Sequence, residues 1–230
     1  GSVGEISVTN TAARLQARSL DTSFAAAYFP DCIMADSGTG ANVRCPPSVA
    51  VLGAMSLNDA IAHPWFAPAG FTRGALASTS EVQIKMSRAN LDTLYEVDIN
   101  PITQFPTSPG VVVFGQKTLQ TSQSALDRIN VRRLMLEIKR LVSSIAQDLL
   151  FEPNTPQTRA RFITSATRVL ALIQAGAGIE QFSVVMDDSN NTEDDVNQNR
   201  LNGRIVVVPT RAVEFISIDF IITNNGVDFV

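Results

Sequence analysis

The stretch Ser124-Ala-Leu-Asp127-Arg-Ile-Asn-Val-Arg-Arg133-Leu-Met-Leu-Glu137-Ile-Lys139-Arg140-Leu-Val-Ser-Ser-Ile145-Ala-Gln-Asp-Leu149 decides the fold. Ile129, Leu134, Ile138, Leu141, Val142, Ile145 and Leu149 recur every three or four residues, the spacing of one apolar helix face. Ser124-x-x-Asp127 resembles a capping box with Asp in place of Glu. The spacing predicts a helix of about 25 residues, ~37 Å long. Glu152-Pro153-Asn154 breaks it, and Thr155 with Pro156 at the first helical position opens another. Phe162, Ala166, Val169 and Ile173 supply that second helix with an apolar face, and Gly176 and Gly178 end it.

Downstream the periodicity changes to that of strands. Gln181–Met186 is one, and Asp187–Asn199 is a polar, acidic loop. Leu201–Val208 and Val213–Thr223 are two more, joined at Pro209-Thr210-Arg211 and therefore expected as antiparallel neighbours. Upstream, Thr9–Leu20 alternates weakly, as a short helix or an extended arm. Phe24–Ala35 reads as a strand, Asp36–Gly40 as a turn and Asn42–Cys45 as the returning strand. Pro46-Pro47-Ser48 opens a helix through Ala62 with Val49, Leu52, Met55 and Leu57 on or near one face, stopped by Pro64. Val82–Met86 is a short strand, and Arg88–Ile99 a helix ended by Pro101. Gly110-Val-Val-Val-Phe-Gly115 has the apolar run of a buried central strand. Strands before and after two long helices predict an α/β (α+β) fold, a mixed sheet flanked by helices.

The 230 residues, 45% hydrophobic and 17% charged, fit one large domain or two small ones. Area scaling lets such a chain bury roughly 70% of its surface, so its core needs no staples. No stretch has the length and apolar purity of a membrane span. Gly1-Ser2 resembles a cloning scar with no signal peptide behind it, and residues 1–18 read as a stub before a domain at 19–230. Cys32 and Cys45 lack metal spacing, could pair across neighbouring strands, and suit a reduced, intracellular compartment. The net charge of −4 argues against a nucleic-acid-binding domain. Yet residues 128–168 hold eight basic residues against three acidic ones, a net +5, leaving −9 elsewhere. Such asymmetry suits docking on a copy of the same chain or on another acidic partner, and equally describes a solvated helix face.

Chemistry has no constellation here. Gly110-x4-Gly115-Gln-Lys117-Thr118 misses the phosphate-loop pattern by one residue, and its interior is strand sequence. His63, the one histidine, has no nucleophile at a telling spacing. Counted from Asp188, the acidic loop has Glu193 where a calcium loop needs Gly, and no closing Glu. The helix bearing Arg132, Arg133, Lys139 and Arg140 interleaves no aromatics for base stacking. No cofactor, metal, small-molecule substrate or enzyme activity is expected.

Several motifs in one order carry more. Trp65-Phe-Ala-Pro-Ala-Gly-Phe-Thr-Arg-Gly74 is followed by Leu94-Tyr95, Ile99-Asn-Pro-Ile102 and Gly115-x-Lys117-Thr118. Then come Asp127-Arg-Ile-Asn-Val-Arg-Arg133, Asn190-Asn191 and Pro209-x-Arg211-x-x-Glu214-Phe-Ile-x-Ile218-x-Phe220. From about Ser19 onward this resembles the C-terminal domain of the tail sheath protein of contractile-tailed bacteriophages. The resemblance implies an α/β sheet domain on the inner side of a sheath, against the tail tube. It implies stacked hexameric rings whose rearrangement drives the tube through the host envelope, in a virion tail assembled in the bacterial cytoplasm. Whole members of the family are longer, so the chain reads as a trimmed piece. The sheath of a phage-tail-like bacteriocin or a type VI secretion device is the structurally similar alternative, and a nucleotide-dependent enzyme the one from another class.

Two partner-binding surfaces are expected. One is the basic face with Arg132, Arg133, Lys139 and Arg140. The other is the strand Val213–Thr223, with Glu214, Ile216, Ile218 and Phe220 on one side, whose unpaired edge suits strand addition between copies. In sheath proteins the resemblance implies terminal arms linking neighbours in this way; with its arms short, the 230-residue chain is expected to stay monomeric. Because both candidate loops fail their templates, millimolar Mg-ATP or calcium is expected to leave thermal unfolding unchanged; a saturable rise of several degrees would contradict this.

Overall fold

Pro30 divides the segment that the sequence offers as one strand, because proline lacks the N–H that a ladder needs. In the computed structural model, which describes residues 7–16, 18–106 and 110–214, Ala27–Phe29 (β1) and Cys32–Ala35 (β2) enter different sheets. β2 lies between Asn42–Cys45 (β3) and Thr79–Val82 (β4), antiparallel to both. Cys32 and Cys45 are register partners there, and both thiols are free. β1 runs parallel to Ile99–Gln104 (β5), which pairs antiparallel with Val111–Val113 (β6). The α+β class with mixed pairing is as expected, but the described strands form three small sheets, the third being a two-stranded hairpin described below.

Three upstream boundaries differ from the sequence reading. The strand expected at Val82–Met86 lies earlier, as β4. The helix expected to reach Ile99 is Arg88–Glu96 (α4); Asp98 then takes a left-handed φ of 62°, and Ile99 onward is β5. Pro101 therefore ends no helix. It sits inside β5, where its carbonyl accepts the Phe114 N–H at 2.8 Å. β6 is fully buried as expected, and the Gly74–Leu76 segment covers its outer side through Leu76 N–H to Val111 O and Val113 N–H to Gly74 O. Gly74 permits that approach, since a Cβ there would lie 2.7 Å from the Val113 oxygen.

Helix Pro47–Ile61 (α2) forms where expected but turns a different face inward. Ala50, Val51 and Ala54 pack on Cys32, Leu76, Ile102 and Val113, while Val49, Leu52 and Leu57 are exposed. Buried Asn58 sets that rotation by donating to the carbonyls of His63 and Phe66. Val8–Gln16 (α1) is helical and lays Val8 against Leu94, Ile99 and Phe29. Gly70–Arg73 is a single short turn (α3).

The strongest helix is Ile129–Gln147 (α5), shorter than expected. Ser124 does cap, but it caps a 3-10 turn at Ala125–Asp127, accepting from the Leu126 N–H. Arg128 is extended, and the helix starts where the Ile129 N–H meets the Gln116 carbonyl at 2.8 Å. Pro156–Ala175 (α6) opens at Thr155, whose hydroxyl accepts from the Thr158 N–H. Leu134 and Ile138 of α5, Leu170 and Ile173 of α6 and Ile179 form one buried cluster. They back an antiparallel hairpin of Ile179–Val185 (β7) and Arg204–Pro209 (β8). The acidic loop between these strands holds a short helix, Glu193–Asn197 (α7), started by a capping box of Thr192 and Asp195. The expected strand Val213–Thr223 lies outside the described residues from 215 onward; Val213 and Glu214 are not in a strand.

Leu134→Ala should lower unfolding stability by about 2–5 kcal/mol, because Leu134 is buried between α5 and α6. Leu136→Ala, on the exposed side of the same helix, should change it by about 0.5 kcal/mol at most. Denaturant titration checks the contrast; equal losses would contradict the packing.

Candidate functional site

Four motifs scattered over 120 residues of sequence converge on one carboxylate. Glu214 accepts the Tyr95 hydroxyl at 2.6 Å, the Arg128 Nε–H at 2.7 Å and the Gln116 side-chain amide at 3.1 Å. Tyr95 comes from α4, Gln116 from the segment after β6, and Arg128 from the residue before α5. Asn100 of β5 supports this knot from beneath. It is fully buried, donates to the carbonyls of Ala27 and Lys117, and accepts the Lys117 N–H at 2.6 Å. The Lys117 ammonium donates to the Tyr95 carbonyl at 2.6 Å, pairs with Asp98 at 3.2 Å and lies over the Tyr95 ring.

The electrostatics follow from this geometry. Burial pushes the Glu214 carboxyl upward, but the Tyr95 and Arg128 hydrogen bonds and the Arg128 charge outweigh it, holding the group below its ordinary value. Burial and the same carboxylate raise the Tyr95 phenol far above its usual range. The knot is thus an ionised, fully engaged carboxylate rather than a proton-transfer centre.

A cleft of about 610 Å³ opens beside it, walled by Trp65, Phe105, Phe114 and Arg88 and by the Thr210–Glu214 segment. Trp65 closes its floor: the indole N–H donates to the Gly176 carbonyl at 2.8 Å, and His63 stacks on the ring at 4.4 Å. In the near-phosphate-loop stretch Val111–Val113 is a strand, and the Lys117 ammonium is engaged by the Tyr95 carbonyl and Asp98. In the acidic loop Asp188 pairs with Arg159, while Asp187 and Asp195 bond to Ser189 and Thr192. Among the described residues no cluster of three His, Cys, Asp or Glu side chains could hold a metal.

The expected partner-binding residues divide. Arg132 reaches the Ser23 hydroxyl and stacks over Phe24, and Arg133 holds the Asp59 carboxylate of α2 with both its oxygens. Arg140 pairs with Glu137 on the same helix, and Lys139 is exposed. Glu214 faces the knot, and Ile216, Ile218 and Phe220 lie outside the described residues. Sequence reading missed Tyr95, Gln116 and Arg128 as partners of Glu214, although each sits within a motif quoted above.

Since the folded Glu214 carboxyl titrates below its unfolded value, its contribution is complete above the ordinary carboxylate value of about 4.5 and disappears as pH falls through the folded value. Stability should therefore decline on acidification below about pH 5, with a smaller slope in Glu214→Gln. Identical pH profiles would show that the knot contributes nothing.

Residues 121–223 match the phage tail sheath C-terminal domain family. The chain is 36% identical over 179 residues to the tail sheath protein of Vibrio phage KVP40, covering 78% of this chain and 26% of that protein. It is 32% identical to the tail sheath protein of Enterobacteria phage T4, over 84% of this chain and 29% of that one. The chain thus spans little more than a quarter of the length of these relatives. Among solved structures, the anti-feeding prophage helical sheath in the contracted state superimposes with a TM-score of 0.77 at 25% identity, covering 88% of this chain and 57% of that one. Over residues 121–223 the chain is thus similar to the phage tail sheath C-terminal domain family, and over 78–84% of its length to these two tail sheath proteins.

Proposed function

We propose that the protein carrying this chain is a structural, non-enzymatic subunit of a contractile phage tail sheath. In this reading it polymerises as stacked hexameric rings around the tail tube, and ring rearrangement drives the tube through the host envelope. The similarity to two tail sheath proteins over more than three quarters of this chain carries the reading. In this reading the protein belongs to the virion tail and is assembled in the host cytoplasm. The likeness to a contracted prophage sheath also favours a second reading, the sheath of a related injection device. The higher identity to phage proteins favours the first.

The described structure suits such a role. The β7–β8 hairpin is covered on one face by α5 and α6, and among the described residues neither strand has a further partner. Along its two outer edges no strand partner lies among the described residues, and a strand from another copy could pair there. In this reading the segment with Ile216, Ile218 and Phe220 supplies one such strand. Of Arg132, Arg133, Lys139 and Arg140, the last two are the exposed ones and the ones able to meet an acidic tube or neighbour. Work then comes from two lattices of nearly rigid subunits that differ in contact energy, with no nucleotide consumed.

Ile218→Pro or Phe220→Pro in the full-length protein should abolish tubular polymers while leaving monomer circular dichroism unchanged; tubes from both variants would contradict strand addition through this segment. Lys139→Glu with Arg140→Glu should slow assembly at low salt, whereas wild-type rates would show a face that is merely solvated. Arg132 and Arg133 are unsuitable for this test because they hold the fold together.

A further inference from the structure

We infer that Glu214 is a force clamp: its three-donor knot anchors the root of the 215–230 segment, so that a pull on that segment enters the body of the domain instead of peeling β8 from β7. The inference rests on the sheath reading only for what does the pulling, namely a neighbouring copy joined through residues beyond 214.

The argument is topological. β8 ends at Pro209, which pairs with Ile179 at the last rung of the hairpin ladder. Thr210 makes one more backbone bond, to the Gly178 carbonyl, and Val213 is 80% exposed. Nothing along 211–213 in the described hydrogen bonds would resist a pull. A load applied beyond 214 would otherwise arrive at the 179–209 rung and open the ladder one rung at a time, each rung bearing the load alone. Glu214 intercepts it. Its carboxylate is gripped together by Tyr95, Arg128 and Gln116, so all three bonds must stretch at once.

Those three donors are themselves fixed in different elements. Tyr95 belongs to α4, whose Leu94 is buried against Ile99 of β5. Gln116 accepts the Ile129 N–H through its own carbonyl, and Arg128 accepts the Arg132 N–H through its carbonyl, so both are tied to the first turn of α5. α5 in turn is seated by Leu134 and Ile138 in the cluster shared with α6. The pull is therefore shared by the β1–β5–β6 sheet and α5, and the hairpin stays closed. This keeps intact the sheet edge that the sheath reading needs for the next copy.

Single-molecule pulling on the 230-residue chain tests this without any sheath, using one handle at Ser144, which is exposed on α5, and one at Val230. In the wild-type chain no early step attributable to β8 is expected before the domain unfolds. Glu214→Ala should add a step at lower force that releases Arg204–Glu214, about 40 Å of chain at about 3.6 Å per residue. Tyr95→Phe, which removes one donor and no charge, should lower the force at which that step appears by less, and it serves if Glu214→Ala does not fold. Arg211→Ala, beside the knot, should behave as wild type. The same early step in wild type and Glu214→Ala, or an equal effect of Arg211→Ala, would overturn the clamp. Failure of the full-length wild-type protein to polymerise would instead sink the sheath reading and leave this result standing.

Discussion

Helix α5 is held at both ends of its chemistry, and the rest of the domain depends on that double attachment. Its apolar side, Leu134 and Ile138, is sealed against α6 and Ile179. Its polar side reaches the opposite half of the chain, with Arg133 on Asp59 of α2 and Arg132 on Ser23 and Phe24. Its first N–H is capped by Gln116, and the residue before it grips Glu214. Burial of the apolar side supplies most of the favourable free energy, at roughly 25 cal/mol per Å² removed from water. The arginines then fix how the two halves face each other, which apolar contacts alone leave loosely specified.

This arrangement explains the uneven charge. Of the eight basic residues in 128–168, six pair with carboxylates or other polar and aromatic groups of the same chain. Three of them, Arg128, Arg133 and Arg159, tie this region to carboxylates 86, 74 and 29 residues away in sequence. The two remaining basic residues, Lys139 and Arg168, have no ion pair among the described residues. Surface pairs such as Arg140–Glu137 contribute little to stability, since solvent screens them. The Glu214 knot is different because it is partly buried and its donors converge.

Helices were legible because their signal is periodic over many residues: α5, α6 and α2 all form where the spacing places them. The inward face of α2 was not, because alanines beside a small-residue core pack more closely than the larger Val49, Leu52 and Leu57. β5 was hidden by Pro101, which normally marks a boundary but here spends only its carbonyl in the ladder. The division into three sheets was illegible for another reason: strand pairing is a long-range choice, whereas periodicity is local. The motif residues Tyr95, Gln116, Arg128 and Glu214 were all visible, yet nothing in their spacing shows that they meet.

The β7–β8 hairpin, covered on one face and without a further strand partner among the described residues, is the part of this domain that assembly would complete in the sheath reading. The most direct measurement is therefore a cryo-electron microscopy reconstruction of tubes formed by the full-length protein. The account predicts that the β7–β8 hairpin continues, in backbone register, into a strand contributed by a neighbouring copy. Tubes in which both outer edges of that hairpin face solvent would contradict it.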